Sequence, residues 1–178
     1  LENAGRLQTL LVDKTGTLTE GRPAVTAVVT LEGASRDDLL RVAASLEQGS
    51  THPLARAVLA AAREAGIAPL PIADFASVPG KGVTGRIAGD STPAMLGSLA
   101  LLADAGAPLP ASLTDALLAD GKTLVGVARG NRALGVIVLA DATRSTSAAA
   151  VQRLHAIGVE VIMLTGDNAS TAQAVAET

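Results

Sequence analysis

Short apolar runs that end in polar residues lie near both ends of the chain. Thr9–Asp13 carries a continuous apolar run before its final carboxylate, and Val161–Leu164 has the same pattern before Thr165. Continuous runs of this length are typical of strands that are buried on both faces of a parallel sheet. We therefore predict that both runs belong to one parallel α/β sheet, with Asp13 and Thr165 at the same carboxyl edge.

Helical spacing marks the first part of the intervening segment. With Ser35 as N-cap, apolar residues recur on one face of a predicted helix that ends at Gly49. Pro53 suits the first turn of a second helix, which Gly66 ends. The sequence therefore predicts two consecutive amphipathic helices in this region.

Extended patterns dominate the following part of the chain. Between residues 72 and 96, short segments broken by Gly and Pro predict strands. Short helices are predicted over residues 99–105 and 112–119, and a hairpin is predicted to turn at Gly130 and Asn131. This order of elements favours an antiparallel sheet with flanking helices.

The segment between the two end strands is far longer than an ordinary crossover connection. We therefore predict an inserted α+β domain over residues 22–140, built on an antiparallel sheet. Residues 1–21 and 141–178 are predicted to form the parallel α/β domain that carries it. A helix over residues 144–158 and another after Asp167 would complete the strand–helix order of that domain.

The composition narrows the class of protein. The 178 residues are 48% hydrophobic and 17% charged, with a net charge of −3, which argues against disorder and against a nucleic-acid partner. Cysteine is absent and Phe75 is the only aromatic residue, so thiolate metal sites are excluded and the core must be aliphatic. The chain begins at Leu1 rather than Met, from which we expect a piece of a longer protein.

The polar residues at the predicted sheet edge suit phosphoryl transfer. A carboxylate such as Asp13 can attack a phosphoryl group and form an aspartyl-phosphate. The transferred group carries charge on its equatorial oxygens, so its site needs donors, which Lys14, Thr15 and Thr165 can supply. Gly16 permits close backbone approach. The competing interpretation is that Asp13 is a turn or cap carboxylate after a strand.

The second loop favours the first interpretation. Gly166 also permits close approach of the backbone to a phosphate, and the helix predicted after Asp167 would direct its amino end toward that phosphate. Two such loops at one sheet edge are less readily explained as unrelated turns.

Two motifs carry a resemblance to a known family. Asp13–Thr19, with the sequence DKTGTLT, resembles the phosphorylation motif of P-type ATPases, within the haloacid dehalogenase-like superfamily. Met163–Asn168, MLTGDN, is similar to the family's second phosphate-site motif. The resemblance implies a parallel α/β phosphorylation domain with a large inserted nucleotide-binding domain. It also implies that Asp13 is phosphorylated by ATP, with Mg²⁺ near Asp13 and the backbone of Thr15.

One position favours an ATPase over a soluble phosphatase of the same superfamily. Such phosphatases usually have a second Asp two residues after the nucleophile, as the acid–base group that drives rapid hydrolysis. Thr15 occupies that position and cannot act as a base at neutral pH. A long-lived phosphoenzyme is therefore expected, as a pump requires, although a soluble phosphatase remains an alternative.

The predicted inserted domain resembles that of the heavy-metal (P1B) subgroup. Glu47 lies five residues before the His52-Pro pair, and Gly80 and Gly82 match the subgroup's paired glycines. The resemblance implies that Glu47 and His52 lie at the adenine and that the glycine backbone lies close to the nucleotide. From the residues alone, a His that precedes Pro at a helix start is more often a cap or surface residue than a ligand, and only the neighbouring motifs favour the nucleotide. Ser98 stands where the family often has Asn, which leaves its role open.

The glycines of this region also match G-x-G-x-x-G, a dinucleotide-binding pattern, at Gly80, Gly82 and Gly85. That pattern has to open a helix, whereas the residues that follow Gly82 predict a strand, so we reject it. Asp141 and Arg144 lie where the chain returns to the first domain. They form either a hinge ion pair or a turn and a helix start.

Within the subgroup the chain is most similar to bacterial copper(I) exporters, with zinc/cadmium pumps as the alternative. The resemblance implies a cytoplasmic domain of an integral protein of the bacterial inner membrane. Its implied partners are ATP, a heavy-metal cation, and transmembrane and actuator domains. A further lysine and a Gly-Asp-Gly-x-Asn-Asp loop expected by the resemblance do not occur before Thr178. This chain alone is therefore expected to bind nucleotide without turnover.

Overall fold

The computed structural model describes residues 7–119, 122–165 and 172–173. The strands are β1 Thr9–Asp13, β2 Thr19–Thr30, β3 Ile72–Val78, β4 Gly82–Ile87, β5 Pro93–Gly97, β6 Thr123–Arg129, β7 Arg132–Thr143 and β8 Glu160–Leu164. The helices are α1 Arg36–Glu47, α2 Pro53–Glu64, α3 Leu99–Asp104, α4 Ala111–Ala119 and α5 Ser147–Ala156. These elements match the predicted ones, while the helix expected after Asp167 lies almost wholly outside the described residues.

The strands form two sheets of different kinds. β1 and β8 pair in parallel, with Asp13 opposite Leu164 in the register. The other strands form a six-stranded sheet in the order β2-β7-β6-β5-β4-β3, in which each neighbouring pair is antiparallel. The predicted combination of a parallel α/β part and a large antiparallel insertion is therefore confirmed.

The six-stranded sheet extends slightly beyond the predicted insertion. β2 begins at Thr19 and β7 ends at Thr143, and these two residues are paired. The predicted domain limits of residues 22 and 140 fall inside these two strands. The division of the chain into domains at those limits stays a prediction.

Helices cover both faces of the six-stranded sheet. α1 and α2 pack on one face, against side chains that include Val127, Ile137 and Leu139. α3 and α4 lie on the other face, with Ala128, Val136 and Val138. Adjacent residues of a strand point to opposite faces, so the continuous apolar runs of β6 and β7 are explained by burial on both sides. The core is aliphatic, as predicted.

The first helix shows how local sequence and packing agree. The Ser35 side chain accepts a hydrogen bond from the Asp38 N–H at 3.1 Å, so the predicted cap forms. On the inner face of α1, the side chains of Leu39, Val42 and Leu46 are completely buried, as their helical spacing predicts. Each buried side chain of this size contributes about 1.5–3 kcal/mol relative to an exposed one.

The prediction that β1 and β8 are buried on both faces is wrong for the described residues. Both strands alternate between exposed and half-buried positions, and the side chains of Leu11 and Leu164 are 59% and 51% exposed. The physical reason is that, among the residues that the structure describes, these two strands pair only with each other, with α5 packed against β8. A two-stranded sheet is too narrow to be enclosed between layers.

None of the helices in the described ranges is long and apolar enough to cross a membrane.

Candidate functional site

Asp13 ends β1 at the carboxyl edge of the parallel pair. It is exposed, and its backbone is still extended, with φ −68° and ψ 138°. The next five residues, Lys14–Leu18, form a wide turn that the Thr19 N–H closes onto the Lys14 carbonyl. Gly16 has a φ of +78°, a left-handed conformation that favours glycine. The turn therefore presents the Asp13 carboxylate at its base while Lys14 is buried within it.

Thr19 fixes this turn from inside. Its side chain is completely buried, and its hydroxyl accepts a hydrogen bond from the Gly16 N–H at 3.2 Å. The hydroxyl oxygen lies 2.6 Å from Asp141 Oδ2 and 3.1 Å from the Lys14 carbonyl oxygen. Because the hydroxyl has a single hydrogen, it donates to one of these two acceptors at a time, and the shorter distance favours Asp141.

Asp141 and Arg144 bind the same segment. Asp141 also accepts hydrogen bonds from the Gly21 N–H at 3.2 Å and the Arg22 N–H at 2.9 Å. Arg144 donates to the carbonyl oxygens of Thr19 and Gly16, each at 3.0 Å. Both side chains therefore tie the end of β7 to the Asp13 turn. We did not predict these contacts. The sequence analysis offered only a hinge ion pair between Asp141 and Arg144, or a turn and a helix start.

The second predicted loop is described only in part. Thr165 directly follows β8 and is half-buried. Since Asp13 and Leu164 are partners in the parallel register, Thr165 lies at the same sheet edge as Asp13. The predicted site residues Gly166 and Asp167 lie outside the described residues. The structure thus brings Asp13, Lys14, Thr15 and Thr165 to one edge.

A separate cavity of about 410 Å³ lies in the part of the chain built on the six-stranded sheet. All four residues predicted for the nucleotide line it: Glu47, His52, Gly80 and Gly82. Its apolar lining includes Leu54, Val58, Val83, Leu96 and Val125. We call this cavity the cleft. An apolar cavity with a few convergent polar groups is the usual form of a small-molecule site.

Glu47 is the most unusual polar group of the cleft. It is 5% exposed, and its Oε2 atom is buried without a hydrogen-bond partner among the described residues. Burial raises the pKa of this carboxyl, and a hydrogen bond with Ser50 and the nearby His52 oppose that rise. A buried acceptor without a donor costs about 1–3 kcal/mol. Glu47 can therefore accept a hydrogen bond from a ligand N–H or O–H.

His52 has two roles that the sequence presented as alternatives. It is the N-cap of α2, and its Nδ1 atom accepts a hydrogen bond from the Leu54 N–H at 3.2 Å. It also lines the cleft. Because Nδ1 acts as an acceptor, the neutral ring carries its hydrogen on Nε2, where it can be donated to a ligand.

The two motif glycines are required for different reasons. A Cβ atom at Gly82 would lie 2.2 Å from the Leu96 carbonyl oxygen, so β4 and β5 can approach only without a side chain there. Gly80 has a φ of +70°, and a Cβ atom at this position would meet nothing within 4 Å. Gly82 is thus needed for the fold itself, whereas Gly80 is needed for the turn. β4 also starts at Gly82, which confirms that G-x-G-x-x-G opens no helix here.

Ser98 has a structural role that accounts for its hydroxyl. Its side chain caps α3 by accepting a hydrogen bond from the Leu101 N–H at 3.2 Å. Its own N–H donates to the Lys81 carbonyl at 2.7 Å. Ser98 also lines the cleft. The sequence left the role of Ser98 open, because the family often has Asn at this position.

The chain belongs to the family of haloacid dehalogenase-like hydrolases, whose family model matches residues 7–178. It is 46% identical over 180 residues to a copper-transporting P-type ATPase of Rhizobium leguminosarum bv. viciae, which covers 99% of this chain and 21% of that protein. The crystal structure of a zinc-transporting PIB-type ATPase in its E2.Pi state matches with a TM-score of 0.72 and 36% identity, over 99% of this chain and 28% of that one. The predicted resemblance to heavy-metal P-type ATPases is confirmed.

Part of the chain also matches a single domain of a related protein. The crystal structure of the N-domain of HMA8, a copper-transporting P-type ATPase, matches 65% of this chain and 97% of that domain. The TM-score is 0.54 and the identity is 27%. The chain spans about a fifth to a quarter of the length of the curated P-type ATPases that it matches.

Proposed function

We propose that this chain is the ATP-binding and phosphorylation region of an ATP-driven heavy-metal cation transporter. Asp13 accepts the phosphoryl group of ATP, and the cleft holds the nucleotide. The observation that carries this proposal is the parallel pairing of β1 and β8, with an exposed carboxylate at its carboxyl edge and Thr165 beside it. Ligands of open α/β sheets bind at this edge.

The proposed chemistry is a phosphoryl transfer to Asp13. An oxygen of the Asp13 carboxylate forms a bond to the γ-phosphorus as the bond from that phosphorus to the β,γ-bridging oxygen breaks. ADP leaves with the electron pair of the broken bond. Lys14 and the hydroxyls of Thr15 and Thr165 stabilise the charge on the transferred group by donating hydrogen bonds. Gly166 and Asp167 are proposed to complete this phosphate site.

Magnesium is the metal that suits the donors of the Asp13 turn. No group of three or more metal-binding side chains is assembled within the described ranges. Mg²⁺ is usually held by one or two carboxylates, water and substrate phosphates, so the Asp13 carboxylate and the Thr15 carbonyl fit it. When bound, it neutralises charge on the phosphates. The positioning of Asp13 itself depends on the Thr19, Asp141 and Arg144 contacts.

The cleft is proposed to bind the adenine end of ATP. The unpaired Oε2 atom of Glu47 can accept a hydrogen bond from the exocyclic amine of the base. His52 Nε2–H can donate to a ring nitrogen, and the apolar lining matches the faces of a purine. The turn at Gly80 and Gly82 leaves the backbone open to the remainder of the nucleotide.

Copper(I) export is the transport that we propose for the whole protein, in a bacterial inner membrane. It is supported by the 46% identity to a copper-transporting ATPase. A zinc/cadmium pump is the alternative, because a zinc-transporting ATPase matches with 36% identity. Transport by the full-length protein, with each metal in turn, distinguishes the two.

A second candidate, for this chain alone, is a nucleotide-binding module without turnover. The exposed apolar side chains of β1 and β8 support it, whereas the sheet that carries the cleft is well buried. A soluble phosphatase is the weakest candidate, because Thr15 cannot act as a base. Release of phosphate from small phosphoesters by this chain, abolished in Asp13→Ala, would establish the phosphatase instead.

The direct test of phosphorylation uses the full-length protein and ATP labelled on its γ-phosphate. We expect an acid-stable, hydroxylamine-labile label in the presence of Mg²⁺, and no label in Asp13→Asn. Asp37→Asn is the control, since Asp37 lies in the first turn of α1, away from the β1–β8 edge. Label that persists in Asp13→Asn would contradict the assignment of the nucleophile.

A further inference from the structure

The turn between β3 and β4 places a lysine at the cleft. Lys81 lies between Gly80 and Gly82 and is among the residues that line the cavity. It is the only Lys or Arg in that lining, which lies wholly within the described ranges. The cleft therefore has one acidic side chain, Glu47, and one basic side chain, Lys81, which come from different elements of the fold.

The backbone of Lys81 is fixed by two hydrogen bonds, whereas its side chain is half-exposed and makes a surface ion pair. Its N–H donates to the Val78 carbonyl at 2.9 Å, and its carbonyl accepts from the Ser98 N–H at 2.7 Å. The side chain is 46% exposed and forms an ion pair with Asp104 of α3, with 2.5 Å between Nζ and Oδ2. The Asp104 side chain is 63% exposed.

Such an ion pair is easily exchanged for another. Pairs between exposed side chains contribute little to stability, because water screens the charges and two flexible chains are held in place. A polyphosphate offers several negative charges to the same ammonium group. Charge-assisted hydrogen bonds to phosphate oxygens are among the stronger ones in proteins. Lys81 can therefore leave Asp104 for a nucleotide without disturbing its own backbone.

We propose that Lys81 binds the phosphate chain of the nucleotide and thereby gives the cleft its preference for ATP over adenosine. Asp104 competes with the phosphates for the same ammonium group and weakens their binding. The Glu47 acceptor and the Lys81 ammonium group together orient the ligand, with its base toward Glu47 and its phosphates toward Lys81. This inference rests on the proposed nucleotide site.

The test is a titration of the ¹⁵N-labelled chain with ATP and with adenosine, followed by NMR chemical shifts, which measure weak binding. We expect Lys81→Gln to raise the Kd for ATP about fivefold and to leave that for adenosine unchanged. Asp104→Asn lowers the Kd for ATP about twofold, and this gain disappears in the Lys81→Gln background. Arg86→Gln is the matched control, since Arg86 also forms an exposed pair, with Asp74, but does not line the cleft.

The outcomes separate this inference from the proposed function. If neither ATP nor adenosine binds the unaltered chain, the proposed nucleotide site is wrong and the role of Lys81 falls with it. If both bind, but Lys81→Gln affects them equally or not at all, the role of Lys81 is overturned and the nucleotide site stands. A drop in ATP affinity of the same size in Arg86→Gln would also overturn it, as a general effect of charge.

Discussion

The cleft and the Asp13 edge are held in place in different ways. The cleft is lined by residues of the six-stranded sheet and of the helices that cover it, and among them Val58 and Glu47 are 0% and 5% exposed. The Asp13 edge belongs to a two-stranded sheet in which Leu11 is 59% exposed. Packing therefore fixes the cleft, whereas hydrogen bonds that involve the side chains of Thr19, Asp141 and Arg144 fix the turn that follows Asp13.

This difference matches the chemistry proposed for each region. A binding site for a purine gains from buried apolar walls and from an acceptor that lacks a partner. A nucleophile has to be reached by the group that it attacks, so an exposed carboxylate on a well-fixed turn suits Asp13. Substitutions in the cleft should accordingly affect the global stability of the chain, and substitutions at the Asp13 edge should affect the local order of the turn.

The largest effect is expected for Gly82→Ala in the cleft. The added methyl group would lie 2.2 Å from the Leu96 carbonyl oxygen, at a φ of +148°, so β4 and β5 must separate. We expect a loss of about 3 kcal/mol in the free energy of unfolding, measured with urea. Gly80→Ala is the control and should lose about 1 kcal/mol, for its left-handed backbone alone. Equal losses would show that the close approach of the strands is not what requires Gly82.

A smaller effect is expected for Asp141→Asn at the Asp13 turn. Its carboxylate accepts from the Thr19 hydroxyl and from the N–H groups of Gly21 and Arg22, and an amide group cannot accept from all three. We expect a loss of about 2 kcal/mol in local stability, measured as faster hydrogen exchange at the Gly21 and Arg22 amides.

Asp74→Asn is the matched control for Asp141→Asn. Asp74 is an exposed carboxylate that pairs with Arg86 on the neighbouring strand, so its loss should change the exchange of Gly21 and Arg22 by less than a measurable amount. If the Gly21 and Arg22 amides exchange no faster in Asp141→Asn than in Asp74→Asn, the turn is not held by Asp141.

Local elements were predictable because periodicity and caps are local properties. Ser35, Pro53 and the turn at Gly130 each mark an element boundary that the structure confirms. The motif also led to Glu47 and His52, which line one cleft. The contact between Thr19 and Asp141 was not predictable from spacing, because 122 residues separate them and only the pairing of β2 with β7 brings them together. The exposure of β1 was missed because a continuous apolar run does not say how many strands the sheet has.

The smallest effect is expected for Glu47→Gln and should depend on pH. Burial raises the folded pKa above its ordinary value of 4.5, so between these two pKa values the folded chain binds more protons than the unfolded chain. The stability of the unaltered chain therefore falls as the pH rises through that window. We expect Glu47→Gln to be more stable by about 1 kcal/mol at neutral pH and to lose this advantage below pH 4.5.

Urea unfolding at pH 4 and pH 7 measures this difference, with Glu64→Gln as the control at the exposed end of α2. A stability gain of equal size at both pH values would contradict the role of ionisation at Glu47. ATP binding should weaken in Glu47→Gln even as stability rises, since the acceptor for the base loses its charge.

The central claim is that the cleft binds the base of ATP. Its most direct test is a calorimetric titration with ATP of the unaltered chain and of two variants of His52. His52→Ala removes both the cap of α2 and the ring, whereas His52→Asn restores a good cap without the ring. We expect both variants to bind ATP about tenfold more weakly, while His52→Ala alone loses about 1 kcal/mol of stability. If His52→Asn binds ATP as tightly as the unaltered chain, His52 is only a helix cap and the base does not lie against it.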